Sequence, residues 1–288
     1  LSTSLRYSPH EDSWLQSLLL RYSTSVSFDE IDQTKFVSVD RDTPAPLTEE
    51  NGEYDGTYLP STYVARHQVK GMPFYSNLRL EGNAQKTMGA LSHVLTMGVE
   101  WQYNKNFGQG QVYDYQRPID GTSSRRPRAF KDIPATNLWA FYAQDEAKLS
   151  VGKHVITALL GVRGTAMVGL SSAYDLHGRL YIDPRLNVQW DLPAMGKLHL
   201  YASMGVGRMS KMPTILDLNP EKRYIDLVQL NYWNANDALK KLHIRSYTID
   251  TNNYHLLPAH NTKWEVRVGG SCKGHRFYAT FFHESMND

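Results

Sequence analysis

The sequence predicts an all-β fold: about ten strands of an antiparallel transmembrane β-barrel, which would form an open, curved sheet in isolation. Three observations lead there. First, Tyr181 to Arg208 reads as a membrane hairpin. Ile182, Pro184, Leu186, Val188, Trp190 and Leu192 share one face, and Tyr181, Asp183, Arg185, Asn187, Gln189 and Asp191 the other. After the break Pro193-Ala194-Met195-Gly196 the alternation resumes with Leu198, Leu200, Ala202, Met204 and Val206 against Lys197, His199, Tyr201, Ser203 and Gly205. Successive strand side chains point to opposite faces, so each arm has one apolar and one polar face. Second, short turns near residues 10, 89, 152, 195 and 274 alternate with long connections near 50, 120, 173 and 235. Barrels with short periplasmic turns and long outer loops show this pattern, whereas a β-sandwich has more even spacing. Third, no window holds the ~18 consecutive apolar residues that a membrane-spanning helix needs.

The elements follow in order. Leu1 to Tyr7 is strand-like, and Ser8 to Ser13 is a polar turn. From Trp14, Leu18, Leu20, Tyr22, Val26 and Phe28 face one way and Ser17, Arg21, Ser23, Ser25 and Ser27 the other, with Leu15 and Leu19 spoiling the polar face. This strand is expected to continue toward Asp40, before a Pro/Gly/Asp/Glu-rich loop from Arg41 to about Tyr58. The return strand runs from Tyr63 to Thr87, interrupted at Gly71-Met72-Pro73 where it projects beyond the bilayer. Leu95, Met97, Val99, Trp101 and Tyr103 then alternate with Thr96, Glu100, Gln102 and Asn104, and a loop follows from Lys105 to Pro134. Leu138 to Leu149 and His154 to Val168 form the next hairpin, with Asp145 an unexplained charge on the apolar face. Beyond the hairpin described first lies a very long loop, Met209 to Asn261. The final hairpin turns at Lys273-Gly274-His275 and ends near Met286.

Composition narrows the function. The 288 residues carry 31 Lys+Arg against 29 Asp+Glu, a balance that argues against nucleic acid as a partner. Eighteen Tyr and six Trp suit strands and aromatic girdles. The single Cys272 excludes an internal disulfide. The chain opens without Met on a strand and stops just after one, and is read as an internal fragment of a barrel domain spanning 1–288. A signal peptide would then lie outside it.

Several motifs resemble TonB-dependent outer-membrane receptors, in the form common in Bacteroidetes. Asp183-Pro184-Arg185-Leu186-Asn187 is similar to the family's "DPR-hydrophobic-N" strand. The stretch Gly205 to Thr214 resembles its G-x-G-x-x-x-K-x-P-T segment, and Leu257 to Val266 the segment re-entering the barrel. The resemblance implies a barrel of about 22 strands filled by a plug domain, which would lie outside this fragment. It also implies the outer membrane as location, contact with outer-membrane lipid, and import of a small or medium substrate driven by the inner-membrane TonB complex. A siderophore, glycan or peptide would be such a cargo.

Candidate site residues fall in two groups. Arg79, Glu81, Glu100, Arg163, Asp183, Arg185, Glu265 and Arg267 are expected to face the lumen and, as a group, the plug. Taken singly, each is explained by the polar interior of any water-filled barrel. In the long loop, Tyr232, Trp233, Asn234, Asn236 and Tyr254 offer stacking and hydrogen bonds to substrate, although Asn is also a turn residue. His243, His255 and His260 match no metal-ligand spacing, so no metal or cofactor is expected. The run Arg125-Arg126-Pro127-Arg128 could hold an anion, but a charge run in a loop is more often solvated. Gly205-Val206-Gly207 lacks the third glycine of a dinucleotide fingerprint, and no nucleophile-base pattern points to an enzyme. The alternative is a soluble or surface-attached β-rich ligand-binding module, which would need no detergent.

Overall fold

The computed structural model describes residues 1–10, 13–46, 48–119 and 126–287. Its strands are β1 (Ser2–Tyr7), β2 (Leu15–Val26), β3 (Asp29–Ser38), β4 (Thr43–Ala45), β5 (Gly52–Asp55), β6 (Thr57–Leu59), β7 (Thr62–Gly71), β8 (Pro73–Met88) and β9 (Leu91–Asn106). They continue with β10 (Gly110–Tyr113), β11 (Thr136–Val151), β12 (His154–Met167), β13 (Leu180–Asp191), β14 (Leu198–Lys211), β15 (Arg223–Tyr232), β16 (Lys241–Ile249), β17 (Ala259–Cys272) and β18 (His275–Asn287). A short helix, α1 (Ile215–Leu218), follows β14.

Ten strands form one antiparallel sheet in the order β1-β2-β8-β9-β11-β12-β13-β14-β17-β18. Every expected hairpin is present, and the sheet is not closed: β1 and β18 are its edges. Cross-strand partners share a face, so the register tests the assignment of sides. On one side Leu160, Leu186, Val206 and Trp264 are successive partners across four strands. Below them run Val188, Met204, Val266 and Phe281. Leu160 is 62% and Ile182 55% exposed, an apolar surface without protein cover. On the opposite side Glu81, Gly98, Tyr142, Arg163 and Asp183 are successive partners.

Glycines shape the polar side. A Cβ at Gly98 would collide with the Tyr142 ring, and one at Gly161 would come within 2.6 Å of Arg185 Nε. Likewise a Cβ at Gly269 would sit 2.6 Å from the Tyr201 hydroxyl, and one at Gly205 would collide with Asn187. Each large polar side chain thus lies across a glycine on the neighbouring strand. Missing side chains leave room for the polar ones to fold over the inner surface.

The sequence reading needs three corrections. The strand from Trp14 does not run unbroken toward Asp40; it stops at Val26, and β3 restarts at Asp29 in a separate sheet of order β10-β7-β3. The connections 41–58, 105–134 and 209–261 are not irregular loops throughout. They contribute β4 paired with β6, β10 paired with β7, and a sheet of order β15-β16-β5. Leu15 does not spoil the polar face, because a register shift between Leu15 and Ser17 sets it opposite Ala84 on the apolar side. Leu19 does stay on the polar face, opposite Glu81.

Two small cores hold the outer elements together. Val37, Ala45, Leu59, Tyr63 and Ala65 form one, and the Tyr63 hydroxyl donates to the Pro118 carbonyl at 2.6 Å. Met167, Tyr174, Leu176 and Leu218 form the other, where the Tyr174 hydroxyl donates to the Leu218 carbonyl at 2.6 Å. α1 starts in a capping box: Thr214 Oγ1 accepts from the Asp217 amide, and the Asp217 carboxylate accepts from the Thr214 amide. These contacts fix long connections over the end of the sheet opposite the short turns. The described residues include no helix long and apolar enough to cross a membrane, a fact silent about barrels.

Candidate functional site

The polar wall is a connected network. Glu100 accepts from Asn77 Nδ2 at 2.9 Å, Gln102 Nε2 at 3.0 Å and Arg163 at 2.9 Å. Arg79 Nε donates to the Tyr142 hydroxyl at 2.7 Å, that hydroxyl donates to Glu81 at 2.8 Å, and Arg79 also pairs directly with Glu81. The Arg79 and Arg163 guanidinium groups both lie over the Tyr142 ring, 5.2 and 5.9 Å from its centre. Two cations close to one ring gain from its quadrupole while carboxylates balance their charge. Asp183 is buried and accepts from Ser210 Oγ at 2.6 Å, beyond the point where β13 and β14 stop pairing. Arg185 reaches Gln144, and Arg267 donates to Thr280 at 3.0 Å beside the Tyr278 ring. Arg79, Arg163, Asp183, Arg185 and Glu265 all line one hollow of 680 Å³, whereas Arg267 lines another nearer the turns.

The outer group is divided. Tyr232, Trp233, Asn234 and Asn236 cluster at the tip of the β15–β16 hairpin. Tyr254 packs instead on Tyr174, ring centres 5.0 Å apart, and its hydroxyl donates to Asp250 at 2.8 Å. The two asparagines are occupied locally: Asn234 accepts from the Asn236 amide at 2.8 Å and Asn236 from the Ala238 amide at 3.1 Å. Both bonds set the turn. Trp233, 54% exposed, donates to Asp42 at 3.4 Å.

Sequence reasoning missed the partners of this tip. Lys240 Nζ lies 5.5 Å from the centre of the Trp233 ring and 5.6 Å from that of Tyr58, and bonds Asp42 at 3.2 Å and Asp237 at 2.8 Å. Hydrogen bonding to Asp237 and Asp42 raises the Lys240 ammonium above its ordinary range, against some loss from desolvation. The Lys240 hydrogen bond in turn holds the Asp42 carboxyl low. No local signal joins Asp42 and Tyr58 to a hairpin almost two hundred residues later. The result is an amine-filled aromatic corner.

The basic run is also corrected. Arg126 is not solvated: its side chain is fully buried, paired with Asp226 at 2.8 Å and donating to the Thr48 carbonyl at 3.0 Å. It is stacked between Tyr115 and Tyr224 at 4.9 and 4.8 Å. Burial pushes both tyrosine hydroxyls upward. Arg128 donates to the Asn219 carbonyl at 2.7 Å, and Arg125 lies outside the described residues. The three histidines stand apart: His243 bonds Asp55, His255 bonds Asp175, and His260 contacts Ser210.

A curved antiparallel sheet with an apolar outer face, a charged inner face and ordered caps over its long-loop end defines the wall of an outer-membrane β-barrel. The family model for "TonB dependent receptor-like, beta-barrel" matches residues 1–271. The chain belongs to that family of outer-membrane transport receptors, whose members are transporters rather than enzymes. No curated protein matches the chain.

Proposed function

We propose that this chain forms barrel wall and extracellular loops of an active-transport receptor that captures a bulky substrate and imports it with energy from the TonB complex. The observation that carries this reading is the exposed aromatic tip at Trp233, tied to Asp42 and to Lys240, which also meets the Tyr58 ring. Rigid aromatic faces beside hydrogen-bonding groups suit a bulky neutral or chelated ligand such as a siderophore, glycan or peptide. Trp233 and Tyr232 are the stacking surfaces in this reading. Asn234 and Asn236 shape the turn that presents them, and Tyr254 supports the neighbouring cap. The charged wall faces the receptor's plug. Its paired cations and carboxylates offer polar contacts that exchange partners when the plug moves.

Deleting Tyr232 to Asn236 in the full-length receptor tests capture. Substrate uptake should fall while barrel assembly is retained, since hairpin tips tolerate change that wall strands do not. Unchanged uptake removes the tip from the capture site. Surface labelling of Asn234→Cys on intact cells checks sidedness. Labelling only after the outer membrane is permeabilised would reverse the in-out assignment.

A further inference from the structure

The charge on the apolar face, Asp145, belongs to a polar cluster. Its Oδ2 lies 2.8 Å from His93 Nδ1, and the same hollow is lined by Lys86, the cross-strand partner of His93. Trp14, Ala84, Gln85, Met88 and Leu95 complete that hollow of 530 Å³. All this lies on the outer, lipid-facing side, because Ala84, Leu95, Asp145 and Leu160 are successive cross-strand partners in one register row. It lies toward the short-turn end, a few residues from Gly89 and Gly152.

A carboxylate on this face is costly, so its partners matter. His93 satisfies one oxygen. The other, Asp145 Oδ1, is buried, and among the described residues nothing donates to it. The Asp145 side chain as a whole is 35% exposed, so the hollow presents a carboxylate edge, with the Lys86 ammonium two strands away. A ligand fitting both must carry a hydrogen-bonding amine and an anionic group a few ångströms apart. Its remainder must be apolar, because the surface leading away from the hollow is Met97, Val99 and Phe141 on the same face. Trp14, 66% exposed at the margin, suits the boundary between headgroup and acyl chains.

We infer that this cluster is a headgroup site for an amine-bearing phospholipid of the periplasmic leaflet, with the exposed edge of the Asp145 carboxylate accepting from the ammonium and Lys86 holding the phosphate. The site lies on the opposite face of the wall from the transport path, so it is independent of the substrate reading. It ties the barrel to the leaflet on the short-turn side, which barrels of this kind turn toward the periplasm.

The test uses the full-length receptor, with bound lipids counted by native mass spectrometry after exchange into defined mixtures. Phosphatidylethanolamine should be retained about tenfold over phosphatidylcholine, whose quaternary amine has no N–H, and over phosphatidylglycerol, which has no amine. Asp145→Asn should abolish the preference while leaving melting in pure phosphatidylcholine unchanged. Lys86→Gln should weaken retention of all three lipids together. Should Asp145→Asn fail to assemble, Asp145→Leu provides a second variant, since an apolar residue suits this face. Equal retention of the three lipids by the wild type overturns the proposal, as does a preference that survives loss of the Asp145 carboxylate. A co-purifying protein lost in Asp145→Leu, with no lipid preference in the wild type, would overturn it in favour of a protein contact.

Discussion

Leu186→Arg, compared with Asn187→Arg, tests which side of the wall meets lipid. Leu186 is the seventh of the twelve residues of β13, close to the middle of a strand whose length suits a bilayer crossing. Its register partners are Leu160 and Val206, so an arginine there has no acidic neighbour directly across either strand. A charge near the midplane of a lipid-facing strand costs about 2–4 kcal/mol, or about 30- to 900-fold in the folding equilibrium. Asn187 is one residue away and points inward, opposite Gly205, where space remains for a longer side chain to reach water. Its replacement should cost no more than about 0.5 kcal/mol. The full-length receptor is folded into vesicles and unfolded by guanidinium under reversible conditions, and the midpoints of the three proteins are compared. Equal shifts for the two variants, or a larger one for Asn187→Arg, would refute the assignment of faces.

Arg126→Ala should loosen the outer cap without opening the wall. It takes away the cation paired with the Asp226 carboxylate, leaving that group only the Ser246 hydroxyl among the described residues, and vacates the contacts with Tyr115 and Tyr224, at a cost of about 3–5 kcal/mol, read as faster proteolysis of the outer segments with the barrel intact. Gly98→Ala should destabilise the wall by about 1–3 kcal/mol, since the new Cβ meets both Tyr142 and the Leu80 carbonyl at 2.8 Å. Gly161→Ala should be milder, because its close contacts are with the flexible Arg185 side chain; thermal melting in lipid ranks the two. The Asp42–Lys240 link should hold the Trp233 tip unchanged from about pH 5 to 9. Asp42 is lowered, so its contribution is present above its unfolded value and lost as pH falls through the folded one; Lys240 is raised, so its contribution is lost only as pH rises through its folded value. Fluorescence of the receptor, with Trp233→Phe as the blank, checks this, and a titration near neutrality would count against the link. On the β3–β7 hairpin, hydrogen bonds from Arg66 and Gln68 pull Asp32 down to about 2, so that hairpin should keep its hydrogen-exchange protection until strong acid.

The strands of the wall were legible because their signal is local. A period of two in Ile182 to Leu192 or Leu198 to Val206 assigns each side chain to lipid or lumen without reference to any distant residue. Turn residues at Gly89, Gly152 and Gly274 mark the reversals, and all three adopt positive φ there. Hairpin order then follows from chain order alone. Asp183, Arg185, Arg163 and Glu100 were placed on the polar face by the same alternation, and the register brings Arg163 opposite Asp183.

What the tertiary structure decided lies in contacts between residues far apart in sequence. Arg245 on β16 pairs with Glu53 on β5 across a separation of 192 residues, so the outer hairpins became sheets where the sequence suggested loops. Short strands rich in polar residues carry little periodic signal, and only an edge supplied from elsewhere makes them pair. Arg126 reads as one cation of a solvated run until three distant segments close around it. Asp145 is a fault in an apolar stripe until the register sets it beside His93. Alternation determines which face a residue joins; which neighbours it finds on that face depends on register and on loops folding back, and these are non-local.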